Sequence, residues 1–199
     1  RETVIRIGVN AGSLQKDLVL EYGGVNAEAL YISAMRNIEI FEDMGFTALK
    51  LSLKSSDVHT MLEAYRAIAA KTDYPLHVGV TEAGTLTDAA IKSALGIGML
   101  LNEGIGDTIR VSVTGNPALE IPVAYGILLS LKIRKVGPEI ISCPTCGRCE
   151  IDLLDLVDKA QKALASRKEY IKVALMGCVV NGPGEAADAD IGIAGGKGF

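Results

Sequence analysis

Tryptophan is absent from these 199 residues, and aromatic side chains make up only 5% of them. A core must therefore be built from Val, Ile, Leu and Ala, which carry most of the 49% hydrophobic content. That is the composition of helix-covered parallel sheets. Long basic runs are also missing. The net charge is −4, and no Lys/Arg block is long enough to track a phosphate backbone, which excludes nucleic acid as the expected partner. The longest apolar run, Ile121–Leu131, is interrupted and too short to span a bilayer, so no membrane partner is expected. The first residues, Arg1-Glu2-Thr3-Val4-Ile5-Arg6, lack the layout of a signal peptide, and the chain does not begin with Met. We expect a piece of a longer, cytoplasmic protein in a reducing compartment, where clustered cysteines serve metal or redox chemistry rather than disulfides. Histidine is scarce. His59 falls in a helical stretch and His77 in a strand; neither has a ligand partner in spacing, so both read as structural and a Cys/His nucleophilic dyad is a poor fit. Gly96-x-Gly98 lies inside a helical pattern and is not a dinucleotide fingerprint.

What is present is a rhythm of short β-branched runs and helical stretches. Strands are expected at Ile5–Asn10, Ala48–Leu53, Leu76–Thr81 and Thr108–Val113. Helices are expected over Ala27–Met44, from the Ser55-Ser56-Asp57 cap candidates to about Lys71, over Asp88–Asn102, and from Asn116-Pro117 to about Leu131. Four βα units in succession imply a parallel sheet with right-handed crossovers. The rhythm changes around Val136-Gly137-Pro138. A short strand at Glu139–Ser142, an amphipathic helix over Ile151–Arg167, a strand at Tyr170–Met176 and a glycine-rich loop segment, Gly177–Gly196, follow. Two domains are expected, 1–135 and 136–199.

The second segment holds all four cysteines: Cys143, Cys146 and Cys149 in Cys-Pro-Thr-Cys-Gly-Arg-Cys, and the remote Cys178. Cys-x-x-Cys turns bring thiolates onto one centre with backbone N–H groups left to solvate the sulfurs. Two metals compete on spacing alone: a closed structural zinc site of four thiolates, or an iron–sulfur cluster with near-ferredoxin spacing. Unliganded thiols are the bland alternative. Gly182-Pro183-Gly184-Glu185 follows Cys178 as a tight turn that would swing a carboxylate back toward it, although by itself Glu185 reads as a solvated loop residue.

In the first segment the expected carboxyl ends of the strands carry polar side chains in apolar surroundings: Arg6 and Asn10, Lys54, Glu82, and Arg110 with Ser112. Ligands of parallel α/β folds bind at those ends. Three cations, two small polar groups and one carboxylate suit an anionic, phosphorylated small molecule. Singly, each also reads as a solvated or locally paired residue.

Five stretches together resemble the hydroxymethylbutenyl diphosphate synthase family of the methylerythritol phosphate route to isoprenoids. They are Ile5–Ser13, Thr81–Gly84, Glu103–Ser112, Ser142–Arg148 and Gly177–Glu185. The resemblance covers nearly the whole chain. It implies a (β/α)8 TIM barrel followed by a small α+β iron–sulfur domain, of which this chain supplies the C-terminal half of the barrel and the cluster domain. It implies reductive opening of methylerythritol cyclodiphosphate, with electrons from flavodoxin or ferredoxin passing through a [4Fe–4S] cluster. Carried over by motif, the cluster ligands fall on Cys143, Cys146, Cys178 and Glu185, and Cys149 is not a ligand. Diphosphate contacts fall on Arg6, Asn10, Lys54, Arg110 and Ser112, the acid/base carboxylate on Glu82, and a residue lining the cluster side of the substrate on Asn181. A homodimer in which one subunit's cluster domain caps its partner's barrel is implied as well. A half barrel leaves open sheet edges and exposed core, so the chain alone is expected to be inactive.

Three readings then stand side by side: the reductive enzyme, a phosphate-binding domain with a structural zinc knob, and a ferredoxin-like carrier using all four cysteines. Anaerobic addition of iron and sulfide separates zinc from cluster. A brown protein is expected; one that stays colourless and retains zinc would remove both iron–sulfur readings.

Overall fold

The computed structural model describes residues 3–196. The chain divides between Ile133 and Arg134 into two compact units. It is a mixed α/β protein whose described strands all pair in parallel.

The first unit runs β1 (Ile5–Asn10), α1 (Lys16–Glu21), α2 (Ala27–Asp43), β2 (Leu49–Lys54), α3 (Val58–Ala69), β3 (His77–Val78), α4 (Leu86–Asn102), β4 (Thr108–Ile109) and α5 (Glu120–Ser130). β1 lies parallel to β2, pairing Arg6 with Lys50, Gly8 with Ser52 and Asn10 with Lys54. β3 pairs with β4, and one parallel bridge between Leu51 and Leu76 links the two pairs. Side chains alternate across a strand and in-register partners share a face. One face of the β1–β2 ribbon is therefore Ile7, Val9, Leu49, Leu51 and Leu53, all buried against Leu30, Ile38, Met61, Leu62 and Ile68 of α2 and α3. The opposite face carries Arg6, Gly8, Asn10, Lys50, Ser52 and Lys54.

Helix starts follow their caps. The Asn26 side chain accepts from the Ala29 N–H at 2.9 Å, and that of Asp57 from the Thr60 N–H at 2.7 Å. Asn116-Pro117 opens a 3-10 turn, Pro117–Leu119, before α5 proper begins at Glu120. α5 is apolar along most of its length, yet only Ile127 is buried. With α4 it frames an apolar groove of about 490 Å3 over Ala94, Gly98, Val123 and Gly126.

The third and fourth strands are shorter than their β-branched runs suggest. Their ladder covers only two pairs, His77 with Thr108 and Val78 with Ile109. Beyond Val78 the backbones crowd and part. A Cβ on Gly79 would lie 2.4 Å from the Arg110 carbonyl oxygen, and the Thr81 N–H bonds to the Ser55 carbonyl instead of a ladder partner. Tyr65 of α3, fully buried, ties β2 to β3: its hydroxyl accepts from the Leu53 N–H at 3.0 Å and donates to the His77 carbonyl at 2.6 Å.

The second unit comprises β5 (Pro138–Ser142), α6 (Leu153–Leu164), β6 (Ile171–Met176), α7 (Gly182–Glu185) and β7 (Ile191–Ala194). Its three strands form one parallel sheet in the order β5-β6-β7. A small core of Leu153, Val173 and Leu175 is joined by Leu156, Val157, Ala160 and Leu164 of α6; of the positions that the helical spacing suggests, Leu154 and Ala163 are exposed instead. The glycine-rich stretch after Met176 is more ordered than a loop. Gly182 packs against Met176 and Ala194, where a Cβ would come within 3.0 and 3.1 Å of their Cβ atoms, and this close approach lets α7 sit over β6 and β7.

Gly8, within β1, and Gly79, just past β3, differ in what surrounds them. Gly79→Ala should cost more than about 2 kcal/mol, because backbone must move to admit the new methyl. Gly8→Ala, with nothing within 4 Å of its Cβ position, should be neutral or stabilising by up to about 1 kcal/mol. Urea unfolding of both variants measures the contrast.

Candidate functional site

The polar face of the first unit gathers cations that no described acid pairs with. Arg6, Lys50, Lys54 and Arg110 lie close enough together that burial, then Arg110 and Arg6, pull the Lys54 ammonium down to about 8. Lys54 is only 7% exposed. Among the described residues none of these four cations makes an ion pair. A buried ammonium surrounded by like charge is costly unless an anion is brought to it. His77 is pushed down to about 4 by burial and by Lys54, Arg6, Lys50 and Arg110, so it is neutral at pH 7.

The expected site residues are placed as follows. Asn10 and Lys54 end β1 and β2 side by side. Arg6 does not sit at a carboxyl end: it is the second residue of β1, and its guanidinium Nη1 lies 3.0 Å from His77 Nδ1. It still belongs to the same cationic face, because Arg6 and Asn10 are four residues apart on one strand and so point the same way. The Asn10 side chain accepts from the Gly12 N–H at 2.9 Å, which opens a 3-10 turn, Ala11–Ser13. A Cβ on Gly12 would lie 3.6 Å from both the Asn10 amide oxygen and a Glu82 carboxylate oxygen, so those two groups flank Gly12. Glu82 holds a left-handed backbone, φ 52°, a conformation that costs energy for a side-chain-bearing residue and recurs at functional sites. Glu82, Arg110 and Ser112 line one hollow of about 170 Å3 together with Thr114 and Glu120. Among the described residues the buried Ser112 hydroxyl has no hydrogen-bond partner, as is true also of Ser52, Thr72 and Ser93; its place beside Arg110 in the hollow suits it to donate to a ligand there.

In the second unit Cys143 follows β5 directly, and Cys178 stands two residues beyond β6. The strands are adjacent and parallel, so both thiols emerge at the same edge of the sheet. The Gly177 N–H points at Cys143 Sγ, 3.2 Å away. Cys178 is buried, and its thiol is held below its ordinary range chiefly by the backbone N–H groups of Asn181 and Val180, with Gly182 adding to them. Cys146 is exposed in the intervening turn, which the Cys149 N–H closes onto the Cys146 carbonyl at 2.9 Å. The Cys149 thiol lies 3.3 Å from the Ile151 carbonyl and against Gly177, where an added Cβ would come within 2.5 Å of the sulfur. Glu185 ends α7, exposed, and Asn181 precedes that helix, also exposed. The tight turn expected here is thus a helical one. Among the described residues no three Cys, His, Asp or Glu side chains converge in a metal-binding arrangement. The donors nevertheless suit a sulfur-bound group, since N–H groups directed at Cys143 and Cys178 stabilise thiolates.

Two residues of the cationic face escape a reading by strand ends. Lys50 is legible in the sequence, because it alternates with Ser52 and Lys54. His77 is not, because only the register between strands brings it to Arg6.

The family model described as the GcpE TIM-barrel domain matches residues 1–125, and that of the GcpE protein C-terminal domain matches residues 139–199. A 4-hydroxy-3-methylbut-2-en-1-yl diphosphate synthase (flavodoxin) of Nitratidesulfovibrio vulgaris is 58% identical over 194 residues, 98% of this chain and 50% of the relative. Proteins of the same name from Thermodesulfovibrio yellowstonii and Clostridium perfringens are 57% and 58% identical, over 100% and 98% of this chain and 57% and 56% of their own lengths. The chain spans about half the length of the curated relatives it matches.

Because Lys54 loses its proton near pH 8, inorganic pyrophosphate should bind this chain more weakly at pH 9 than at pH 7. Calorimetric titration at the two pH values checks this, and Lys54→Met should flatten the difference.

Proposed function

The chain belongs to the GcpE family, and on that premise we propose that it forms the phosphate-binding and electron-receiving parts of an enzyme that reductively opens methylerythritol cyclodiphosphate to hydroxymethylbutenyl diphosphate. One observation carries the reading furthest: Lys54 is buried among cations with no described acid partner. A diphosphate would supply the missing charge, and multidentate recognition of phosphate oxygens by Arg and Lys is strong.

In this reading the first unit is the C-terminal half of a TIM barrel. Arg6, Lys54 and Arg110 bind the diphosphate oxygens, the Ser112 hydroxyl donates to one of them, and Asn10 offers its amide N–H groups while its oxygen stays on the Gly12 N–H. Glu82 is the acid/base group. Its place beside Asn10, on a strained loop away from any fixed partner, leaves the carboxylate available to hold or deliver the proton that leaves with the departing hydroxyl as water.

The second unit is the cofactor domain. Cys143, Cys146, Cys178 and Glu185 would hold a [4Fe–4S] cluster, with Asn181 on its substrate side. When bound, the cluster supplies the two electrons that the C–O bond cleavage consumes, received from flavodoxin or ferredoxin. The Gly177 N–H at Cys143 Sγ, and the N–H groups that hold the Cys178 thiol below its ordinary range, are disposed to stabilise cluster-bound sulfurs. The exposed Glu185 carboxylate is a harder, weaker ligand than a thiolate and is suited to be displaced. The Cys149 thiol, turned to the Ile151 carbonyl, favours this ligand set over one that uses all four cysteines. A homodimer completes the proposal.

The test is a chimera in which this chain replaces the matched span of the Thermodesulfovibrio yellowstonii relative. Turnover of the cyclic diphosphate with reduced flavodoxin is expected, and a folded, cluster-loaded chimera without turnover would sink the reading. In the same protein Cys149→Ser should keep the cluster's visible absorption, whereas Glu185→Ala should alter its EPR signal and cut turnover at least about 100-fold.

A further inference from the structure

His77 has no role in the reading above, yet it stands in the middle of the cationic face. Arg6 of β1 approaches it from one side, Lys50 and Lys54 of β2 and Arg110 beyond β4 surround it, and Tyr65 of α3 holds its backbone carbonyl. The contact between Arg6 Nη1 and His77 Nδ1 is 3.0 Å long. A guanidinium has five N–H donors and no acceptor, and it stays protonated in proteins. The bond therefore exists only if Nδ1 presents a lone pair. That fixes the imidazole as neutral, with its one proton on Nε2.

We propose that His77 is a positioning residue for anion binding: as a neutral Nδ1 acceptor it fixes the Arg6 guanidinium within the cationic face. This deepens the phosphate-binding reading and rests on it for the identity of the anion. The physical need is plain. Arg6 lies among like charges on a strand whose opposite face is packed under helices, and an arginine side chain carries considerable rotamer freedom. Mutual repulsion from Lys50 and Lys54 would drive its head away from the site. A carboxylate would hold it but would also neutralise the charge that an anion needs. A neutral imidazole holds it without cancelling its charge. Burial, and then the surrounding cations, keep the imidazole from taking a second proton, so the acceptor survives mild acid. Tyr65 fixes the strand position of His77 through the backbone and is itself anchored to the Leu53 N–H, so the backbone that carries the ring is set by the core rather than by the ligand.

Two measurements on this chain test the proposal. Two-bond 1H–15N spectra of the imidazoles, with the His59→Gln variant assigning the second ring, report the tautomer. The expected result is an Nε2–H form for His77 that persists unchanged from pH 7.5 to pH 5.5. An Nδ1–H form, or ordinary titration near pH 6.5, overturns the acceptor role. Calorimetry with inorganic pyrophosphate at pH 7 reports the positioning. His77→Leu should weaken binding about tenfold or more, and His77→Gln, whose amide oxygen can accept from Arg6, should stay within about threefold of the parent. Equal losses in both variants, with both still folded by circular dichroism, would reduce His77 to a packing residue. If the parent chain does not bind pyrophosphate at all, the phosphate reading fails, and with it the positioning role; the tautomer spectra still decide whether Arg6 is held by a neutral His77.

Discussion

The first unit depends on one constraint: parallel strands in register with every second side chain on the same face. Leu49, Leu51 and Leu53 can be buried under α2 and α3 only if Lys50, Ser52 and Lys54 go to the other side. The same alternation in β1 sends Ile7 and Val9 inward and Arg6, Gly8 and Asn10 outward. Folding the apolar face therefore assembles the cationic face without further information. The helices bury one side, and the like charges accumulate on the other because nothing described there neutralises them.

That accumulation gives the site its chemistry. Among the described residues Lys54 is buried without an ion-pair partner, His77 is kept neutral by burial and by four cations, and the Ser112 hydroxyl is buried without a hydrogen-bond partner. Each is unfavourable on its own. Together they describe a surface whose stability is completed by a multiply charged oxyanion, the usual relation between local frustration and a binding site. The second unit follows the same logic with opposite charge. A backbone N–H lies against Cys143 Sγ, and others hold the Cys178 thiol below its ordinary range, at one end of a small parallel sheet.

Much of this is legible in the sequence. The βα rhythm, the caps at Asn26 and Asp57, the apolar stripe of α6 and the grouping of three cysteines in one turn are local patterns, set by periodicity and by neighbours within four residues. Other residues fall elsewhere than the local pattern suggests, for equally physical reasons. Arg6 reads as a strand-end cation but is the second residue of β1, whose bounds, Ile5–Asn10, are those the local pattern suggests; it reaches the site because alternation sets it on one face with Asn10. The runs at Leu76–Thr81 and Thr108–Val113 look like full strands, but their ladder covers only two pairs, and the Thr81 N–H turns to the Ser55 carbonyl, distant in the chain. Gly182-Pro183-Gly184-Glu185 reads as a turn and is a helical one, because Gly182 can press against Met176 and Ala194.

The sequence by itself determined which side chains share a face, which residues can carry charge or bind metal, and to which family the chain's motifs point, since alternation and spacing are properties of the local chain. Only the tertiary structure decided who meets whom. The register of β1 on β2 and of β3 beside them brings His77 to Arg6 across 71 positions of chain. The same packing leaves Lys54 without an acid and turns the Cys149 thiol toward a carbonyl while Cys143 and Cys178 face N–H groups. Those outcomes depend on contacts between strands distant in sequence, and no local period encodes a register.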